Sequence, residues 1–578
     1  MKNYLLITLG HNSSAIFVDN SGEKQEVIGY EQERISGIKA DSQFPIDAIN
    51  EIIHNVGILK VKNCAIRISH WFNDIENFKS IPNKYITESD IEFLNSLSQD
   101  IKEVNSEFTH HDAHAFSAYE FFKYHIKNRP VSGPVHCLVV DGFGTNEEVL
   151  SLYEDKKLIH RTFNLQASLG LFYQYATSFV GMKENQDEYK FLGYEAHIDE
   201  FFDREQIKEL DKNIDKLSCD LYTLIIRDTE KDILQTSLID YEQLALVKKD
   251  WWAMFEDVLA CVNVENKFSF AARCAIAYFI QNVCEKILVK LVKSYKIQNL
   301  IVAGGAFYNV KLNNVLLNSI DGLFCAMPLA GDQGAAIGMY AKEIGDEAPF
   351  QFGDLCWGRR RFYNAEKLIT QKQNPKINYI KPTSAEQYEA ISETISRLIA
   401  DDNIVNIVTR NMEFGPRALC NTSTIFLPTI QNTHCNNTMN GRNEVMPCAP
   451  VCLKENAIKL FGKVELDRVI GSDQYMICTH VYNKPYSSHY GGVMHKKPLE
   501  NEYTGRPQIV RPNSIIAKVL TRVEKMTDYK ALVNTSFNVH GRPIAFDITS
   551  ILLNYEYQYE RAHNICGGKE PYLFIIDC

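Results

Sequence analysis

The chain has 578 residues and a mass of 66.1 kDa, too long for one core at roughly 100–200 residues per domain. Hydrophobic residues make up 45% and charged residues 23%, ordinary globular values that exclude a largely disordered or fibrous chain. Acidic residues outnumber basic ones by 72 to 61, a net charge of -11, which disfavours a surface built to coat duplex nucleic acid or an anionic membrane.

Residues 4–9 form an apolar run that stops at Gly10-His11, too short for a secretory core or a membrane span. The 15 cysteines are scattered, with no C-x-x-C pair. The expectation is therefore free thiols in a reducing, cytoplasmic setting. Three apolar strands share one design: residues 4–9 run into Gly10-His11-Asn12, residues 137–140 into Asp141-Gly142, and residues 300–303 into Gly304-Gly305. Such continuous apolar strands suit sheets covered on both faces. Glycines at their ends let backbone N–H groups approach an anion. The recurrence predicts two related α/β lobes around a nucleotide-sized cleft.

Residues 199–250 are charged with a helical pattern and read as an insertion, either a solvated face or a wall of the substrate pocket. Residues 268–292 read as a buried amphipathic helix. The Gly/Pro/Asp-containing stretch before Arg359-Arg360-Arg361 reads as a linker. The expected boundaries are a first domain at 1–345, a linker at 346–383 and a second domain at 384–578. That second domain opens with a helix at 385–400 and a strand at 404–408. No fixed-period repeat is visible.

Three motifs carry chemistry. In His110-His111-Asp112-Ala113-His114, the spacing puts His110 and His114 on one helix face. The plain alternative is a helix-start cluster bonded to backbone. Asp141 and Asp332 each follow an apolar stretch at a turn, so two His and two Asp could share a divalent cation with positions left open for substrate. The second motif, residues 411–419, contains Arg417 after Gly415-Pro416. That guanidinium can grip a phosphate bidentately or serve as a structural ion-pair partner. The third, residues 534–543, packs small polar groups after an apolar run, either as a phosphate-holding turn or as an elaborate β-turn.

Order and spacing along nearly the whole chain resemble the O-carbamoyltransferase family that includes nodulation-factor, cephamycin and tobramycin carbamoyltransferases. The matching pieces include residues 9–15, Glu31-Gln32-Glu33-Arg34, residues 110–114, Asp141-Gly142, Ser168-Leu169-Gly170, Gly304-Gly305 with Asn309, Gly331-Asp332, residues 413–419 and residues 534–538. The resemblance implies an actin/sugar-kinase-like ATPase fold of the threonylcarbamoyl-transferase type, followed by a YrdC-like α/β domain. It implies that the second domain makes carbamoyl adenylate from ATP and carbamoyl phosphate. The first domain would pass the carbamoyl group to an acceptor hydroxyl with a divalent metal, usually iron, held by His110, His114, Asp141 and Asp332. His11 would sit beside the acceptor hydroxyl. Gly142, Lys190, Gly304, Gly305 and Asn309 would line the nucleotide cleft of the first domain. Arg417, Arg442, Arg506, Ser536 and Asn538 would line the adenylate-forming site. Homodimerisation is plausible from the likeness alone.

Three basic positions of the family pattern are here Thr422, Asn440 and Met446. Each charge-assisted contact is typically worth about 1.5–3 kcal/mol, so replacement by Arg410, Lys454 or Arg511, or an altered donor activation, is expected. The acceptor expected is a hydroxyl on a small molecule, sugar or nucleotide. A viral-type alternative is a hydroxymethylpyrimidine nucleotide or DNA, the latter disfavoured by the net charge. An actin-fold sugar kinase and a non-catalytic nucleotide-binding relative are the remaining alternatives.

Overall fold

The computed structural model describes residues 2–72, 81–127, 129–227, 241–442, 445, 448–484, 489–566 and 569–578. The first ten strands form two five-stranded sheets. One contains β1 (Tyr4–Thr8), β2 (Ser14–Asp19), β3 (Glu26–Glu31), β4 (Ala65–Ser69) and β5 (Ile101–Glu103), in the order β3-β2-β1-β4-β5. The other contains β6 (Val135–Val140), β7 (Leu150–Glu154), β8 (Lys157–Thr162), β9 (Asn299–Ala303) and β10 (Phe324–Ala326), in the order β10-β9-β6-β7-β8. In each sheet the first three strands are antiparallel neighbours, and the last two add in parallel beside the first. Order and strand sense are the same in both. This duplication is the actin/sugar-kinase-like arrangement, and it explains the recurring strand-turn design.

β1, β9 and all but the first residue of β6 are fully buried, because helices cover both faces of each sheet. The helices His110–Ile126 and Ala335–Ile344 lie between the sheets. Ala115, Ala118, Phe121, Ala336 and Ile337 share one core with Tyr4 and Leu6 of β1 and with Cys137 and Val139 of β6. Gly338 is required there, because a Cβ would lie 1.8 Å from the Ala113 carbonyl oxygen. The expected long helix is present as Phe270–Ser294.

The 199–250 segment presents the expected solvated helical face but also buries an apolar stripe. Its helices Arg204–Arg227 and Tyr241–Cys261 bury Ile207, Leu210, Ile214, Leu221, Val247, Trp251 and Phe255 in the core of the second sheet. One apolar stripe per helix suffices for this, however charged the other face is. None of its described residues lines the large cavity considered below.

The remaining strands belong to the second domain. β11 (Gly358–Arg359) pairs with β14 (Asn411–Met412). A seven-stranded sheet contains β12 (Ile377–Ile380), β13 (Val405–Thr409), β15 (Thr422–Phe426), β16 (Ala449–Cys452), β20 (Gln508–Ile509), β21 (Ala531–Ser536) and β22 (Tyr572–Ile576), in the order β12-β22-β13-β15-β21-β16-β20. A small sheet holds β17 (His480–Val481), β18 (His495–Lys496) and β19 (Tyr503–Gly505). The expected helix is found as Ala385–Ala400. The segment 346–383 is built into both domains. Phe350, Phe352, Leu355 and Trp357 are buried in the inter-sheet core, and β12 pairs in parallel with β22.

The cysteine expectation fails at one pair. Cys435 and Cys566 form a disulfide, with Cα atoms 5.6 Å apart. The helices Ile430–Met439 and Ile548–Ile565 lie side by side, with Arg561 Nε donating to the Thr438 carbonyl at 3.1 Å. The other described cysteines are free. Among the described residues, no helix is long and apolar enough to cross a membrane.

At Gly304 (φ +93°) an added Cβ would meet the Val140 carbonyl oxygen at 2.3 Å, whereas at Gly37 (φ +73°) it would meet nothing within 4 Å. Gly304→Ala should therefore destabilise the protein by more than about 3 kcal/mol, and Gly37→Ala by about 1 kcal/mol. Equal shifts in thermal or urea unfolding would contradict the packing at the β6–β9 crossing.

Candidate active site

The helix His110–Ile126 starts at a capping box, in which Thr109 and Asp112 satisfy each other's backbone N–H groups. The His110 N–H donates to Thr145 Oγ1 at 3.0 Å, and the His111 N–H to the buried Glu148 carboxylate at 2.9 Å. The first helical turn is thus fixed before any side chain acts. His110 and His114 then project their Nε2 atoms to within 3.0 Å of each other. Asp332 Oδ1 lies 3.3 Å from His110 Nε2 and 3.6 Å from His114 Nε2. Asp141 Oδ2 lies 3.7 and 3.4 Å from the same two atoms.

Asp141 follows the end of β6, and Asp332 opens the turn before the helix Ala335–Ile344. The four donor atoms lie within 4.8 Å of one another. Ligands about 2.1 Å from a common ion sit about 3.0–3.4 Å apart in octahedral or tetrahedral geometry, so these residues fit a divalent cation. Asp141 Oδ2 is buried without a hydrogen-bond partner, as an oxygen reserved for an ion would be. Burial opposes a charged His110, but the nearby carboxylates of Asp141 and Asp332 outweigh this and raise its pKa to about 10. Burial likewise opposes ionised Asp141, yet the two histidines hold its carboxyl well below the usual range.

The second domain contributes the opposite charge. The carboxylate of Glu413 accepts the backbone N–H groups of Leu419, Asn421 and Thr422 at 2.8–2.9 Å, winding residues 413–422 into a compact loop. That loop is gripped by the first domain. Glu31 Oε2 accepts the Gly415 N–H at 3.1 Å, and Arg34 Nη2 donates to the Gly415 carbonyl at 2.7 Å. Arg34 is itself paired with Glu31 and Glu33 at 2.9 and 3.3 Å. Two residues beyond Gly415, Arg417 reaches the cavity.

Arg506 also lines the cavity. Arg417 Nε and Arg506 Nη1 are buried and without partners. Burial pushes both pKa values down, and the charge of Arg417 adds to the effect on Arg506, which falls to about 9. Among the described residues no carboxylate pairs with either. Two cations left in this state make a site for an anion. Arg442 is already engaged, donating to Thr535 Oγ1, Ser536 Oγ and Asn538 Oδ1 at 2.7–2.9 Å, so it shapes the 534–538 turn.

One cavity of about 600 Å³ unites these groups. Of the expected residues, His11, Asp141, Gly142, Lys190, Gly305, Asn309, Asp332, Arg417, Arg442, Arg506, Ser536 and Asn538 line it. His110 and His114 lie behind Asp141 and Asp332. Gly304 is not in the wall, and its tight packing on Val140 accounts for it. Asn309 doubles as the N-cap of the helix Val310–Leu317. Lys190 bridges Asp187 at 2.8 Å and the His540 ring at 3.4 Å, linking the two domains across the cavity.

Two wall residues had no sequence signal. Tyr308 and Trp71 line the cavity with a buried hydroxyl and a buried indole N–H that lack partners. Trp71 stacks near His11, with ring centroids 6.1 Å apart.

The expected replacements for lost cations are absent from the wall. Arg410 pairs with Asp577 at 2.7 Å, Arg511 donates to the Gly353 carbonyl, and Lys454 is exposed at a helix start. Thr422 and Asn440 are themselves interior. Thr422 Oγ1 donates to Glu413 at 2.8 Å and accepts from Arg360. Asn440 bonds to Asn436 and Gln558. Arg360 is 1% exposed, and its guanidinium also reaches the carbonyls of Thr409 and Ala545 at 2.9 and 3.0 Å. A charge from the expected linker thus stands beside Thr422. Met446 lies outside the described residues.

His114→Ala leaves the capping box and both sheets intact. It should weaken ferrous-ion binding by more than about 100-fold, as read by titration of metal-free protein. Unchanged affinity would remove the four-residue cluster from consideration.

The family descriptions "Carbamoyltransferase N-terminus" and "Carbamoyltransferase C-terminus" match residues 91–341 and 396–558. An uncharacterized protein of Methanocaldococcus jannaschii is 26% identical over 93% of this chain and 93% of its own length. Nodulation protein NolNO of Sinorhizobium fredii is 24% identical over 95% of this chain and 77% of its own. Nodulation protein U of Rhizobium fredii is 31% identical over 42% of this chain and 39% of its own. The two family matches together cover well over half of the sequence, in the order that the two-domain structure requires, and the chain belongs to the carbamoyltransferase family.

Proposed function

We propose that this transferase takes its carbamoyl group from carbamoyl phosphate, activates it with ATP as carbamoyl adenylate, and delivers it to a hydroxyl on a small molecule, sugar or nucleotide. The observation that carries the reading is the single cavity lined on one side by Asp141, Asp332 and His11 and on the other by Arg417, Arg442 and Arg506. Its volume is in the range that holds a nucleotide-sized ligand. Carbamoyl phosphate gives up phosphate to water. The carbamate oxygen then takes the α-phosphoryl group of ATP as pyrophosphate leaves. The acceptor oxygen attacks the carbamoyl carbon, AMP departs, and the hydroxyl proton is lost.

Arg417 and Arg506 bind phosphoryl oxygens with the nitrogens that lack partners in the protein. The 534–538 turn, braced by Arg442, supplies neutral donors beside them. Asp141, Asp332, His110 and His114 would hold a divalent cation, with iron the first choice, which would supply Lewis-acid polarisation of the carbamoyl oxygen. His11 sits at the wall where the acceptor hydroxyl enters and orients it or takes its proton. Enclosure between two domains keeps the labile adenylate from bulk water.

Purified protein should release AMP and pyrophosphate from ATP only when carbamoyl phosphate is present. Formation of ADP instead would overturn the reading. Arg417→Ala and Arg506→Ala should each lower kcat/KM for this release by about 10- to 150-fold, the equivalent of about 1.5–3 kcal/mol.

A further inference from the structure

A second cluster of metal-ligating side chains lies away from the cavity floor. Asp473, Cys478 and His480 are all buried, and one donor atom from each falls within 4.8 Å of the others. His480 Nε2 is 2.8 Å from Asp473 Oδ1, and His480 Nδ1 is 2.9 Å from Glu465 Oε1. A metal-bound histidine characteristically gives its other ring N–H to a carboxylate, and Glu465 stands in that position.

Charge points the same way. Asp473 and Glu465 face a single imidazole, and among the described residues no lysine or arginine pairs with either. Asp473 is buried, whereas Glu465 keeps 22% of its side chain exposed and also accepts from Asn314 Nδ2 at 3.2 Å, so two carboxylates share one imidazole at the edge of the interior, where a cation would compensate them. A further buried thiol, Cys452 on β16, is close enough to feel both Asp473 and His480.

We propose that Asp473, Cys478 and His480 form a second metal site for a borderline divalent cation, zinc first among them. One nitrogen, one thiolate and one carboxylate are the donors zinc takes, and the Cys478 thiol loses its proton on binding. The role is structural. Residues 470–480 dock the second domain on the first: the Ile470 N–H donates to the Phe324 carbonyl at 2.8 Å, and Ser472 Oγ bonds both Ala326 N–H and C=O at 2.8 and 2.9 Å. Asn313 and Asn314 donate to the Ile477 and Thr479 carbonyls at 2.6 and 2.7 Å. Between the ligands, Met476 adopts φ +54° and lines the cavity. A metal at this loop would fix that wall.

The test is metal analysis of the full chain after zinc and ferrous-iron loading, beside cobalt reconstitution. The wild type should hold one equivalent more than Cys478→Ser or His480→Gln, and His114→Ala should lose a different equivalent. Cobalt in the wild type and in His114→Ala should give a thiolate-to-metal charge-transfer band, and Cys478→Ser, nearly isosteric, should lack it. A single equivalent abolished by His114→Ala, or a cobalt spectrum without a thiolate band in folded wild type, would overturn the proposal.

Discussion

The buried ion pair of Glu31 and Arg34 holds the two domains in the arrangement that makes the cavity. Both side chains are almost wholly buried, so their desolvation is offset only while each keeps its partners. The backbone of Gly415 completes the set, accepting from Arg34 and donating to Glu31. Separation of the domains would take the Gly415 carbonyl and N–H away from a buried guanidinium and carboxylate that stay paired with each other. The φ of +103° at Gly415 lets the loop turn immediately after this grip and present Arg417.

From that constraint follows the distribution of charge. The acidic metal-ligand set is delivered by the ends of β6 and the 332 turn, each fixed by its sheet. The cationic set is delivered by the Glu413-centred loop and by Arg506 just after β19. Each set keeps polar atoms without hydrogen-bond partners in its own domain: Asp141 keeps a bare carboxylate oxygen beside the two histidines, and Arg417 and Arg506 keep nitrogens without partners. Such incompleteness on both sides of one enclosed space is the physical signature of a binding site for a polyanion and a cation together.

The core of this arrangement was legible in the sequence. Continuous apolar strands ending in glycine or aspartate gave the central strands of both sheets, and the i, i+4 histidines gave half of the metal set. What stayed hidden depends on contacts between distant residues. Nothing local pairs Glu31 with Gly415, 384 positions away, or sets Arg360 beside Thr422. The solvated charged face of the 199–250 helices is legible, but it masks the narrow buried stripe that joins them to the core. The Cys435–Cys566 bridge spans 131 positions and needs two packed helices to bring the thiols together. Trp71 and Tyr308 carried no motif, and their unpartnered polar atoms acquire meaning only from the cavity they face.

The central claim is that activation and transfer share one chamber. Isotope dilution tests it most directly: labelled carbamoyl phosphate and ATP are turned over in the presence of acceptor and excess unlabelled carbamoyl adenylate. An adenylate that never leaves the cavity yields product with the full label of the carbamoyl phosphate. Product diluted to the label content of the mixed pool would mean that the intermediate escapes between two separate sites, contradicting the account.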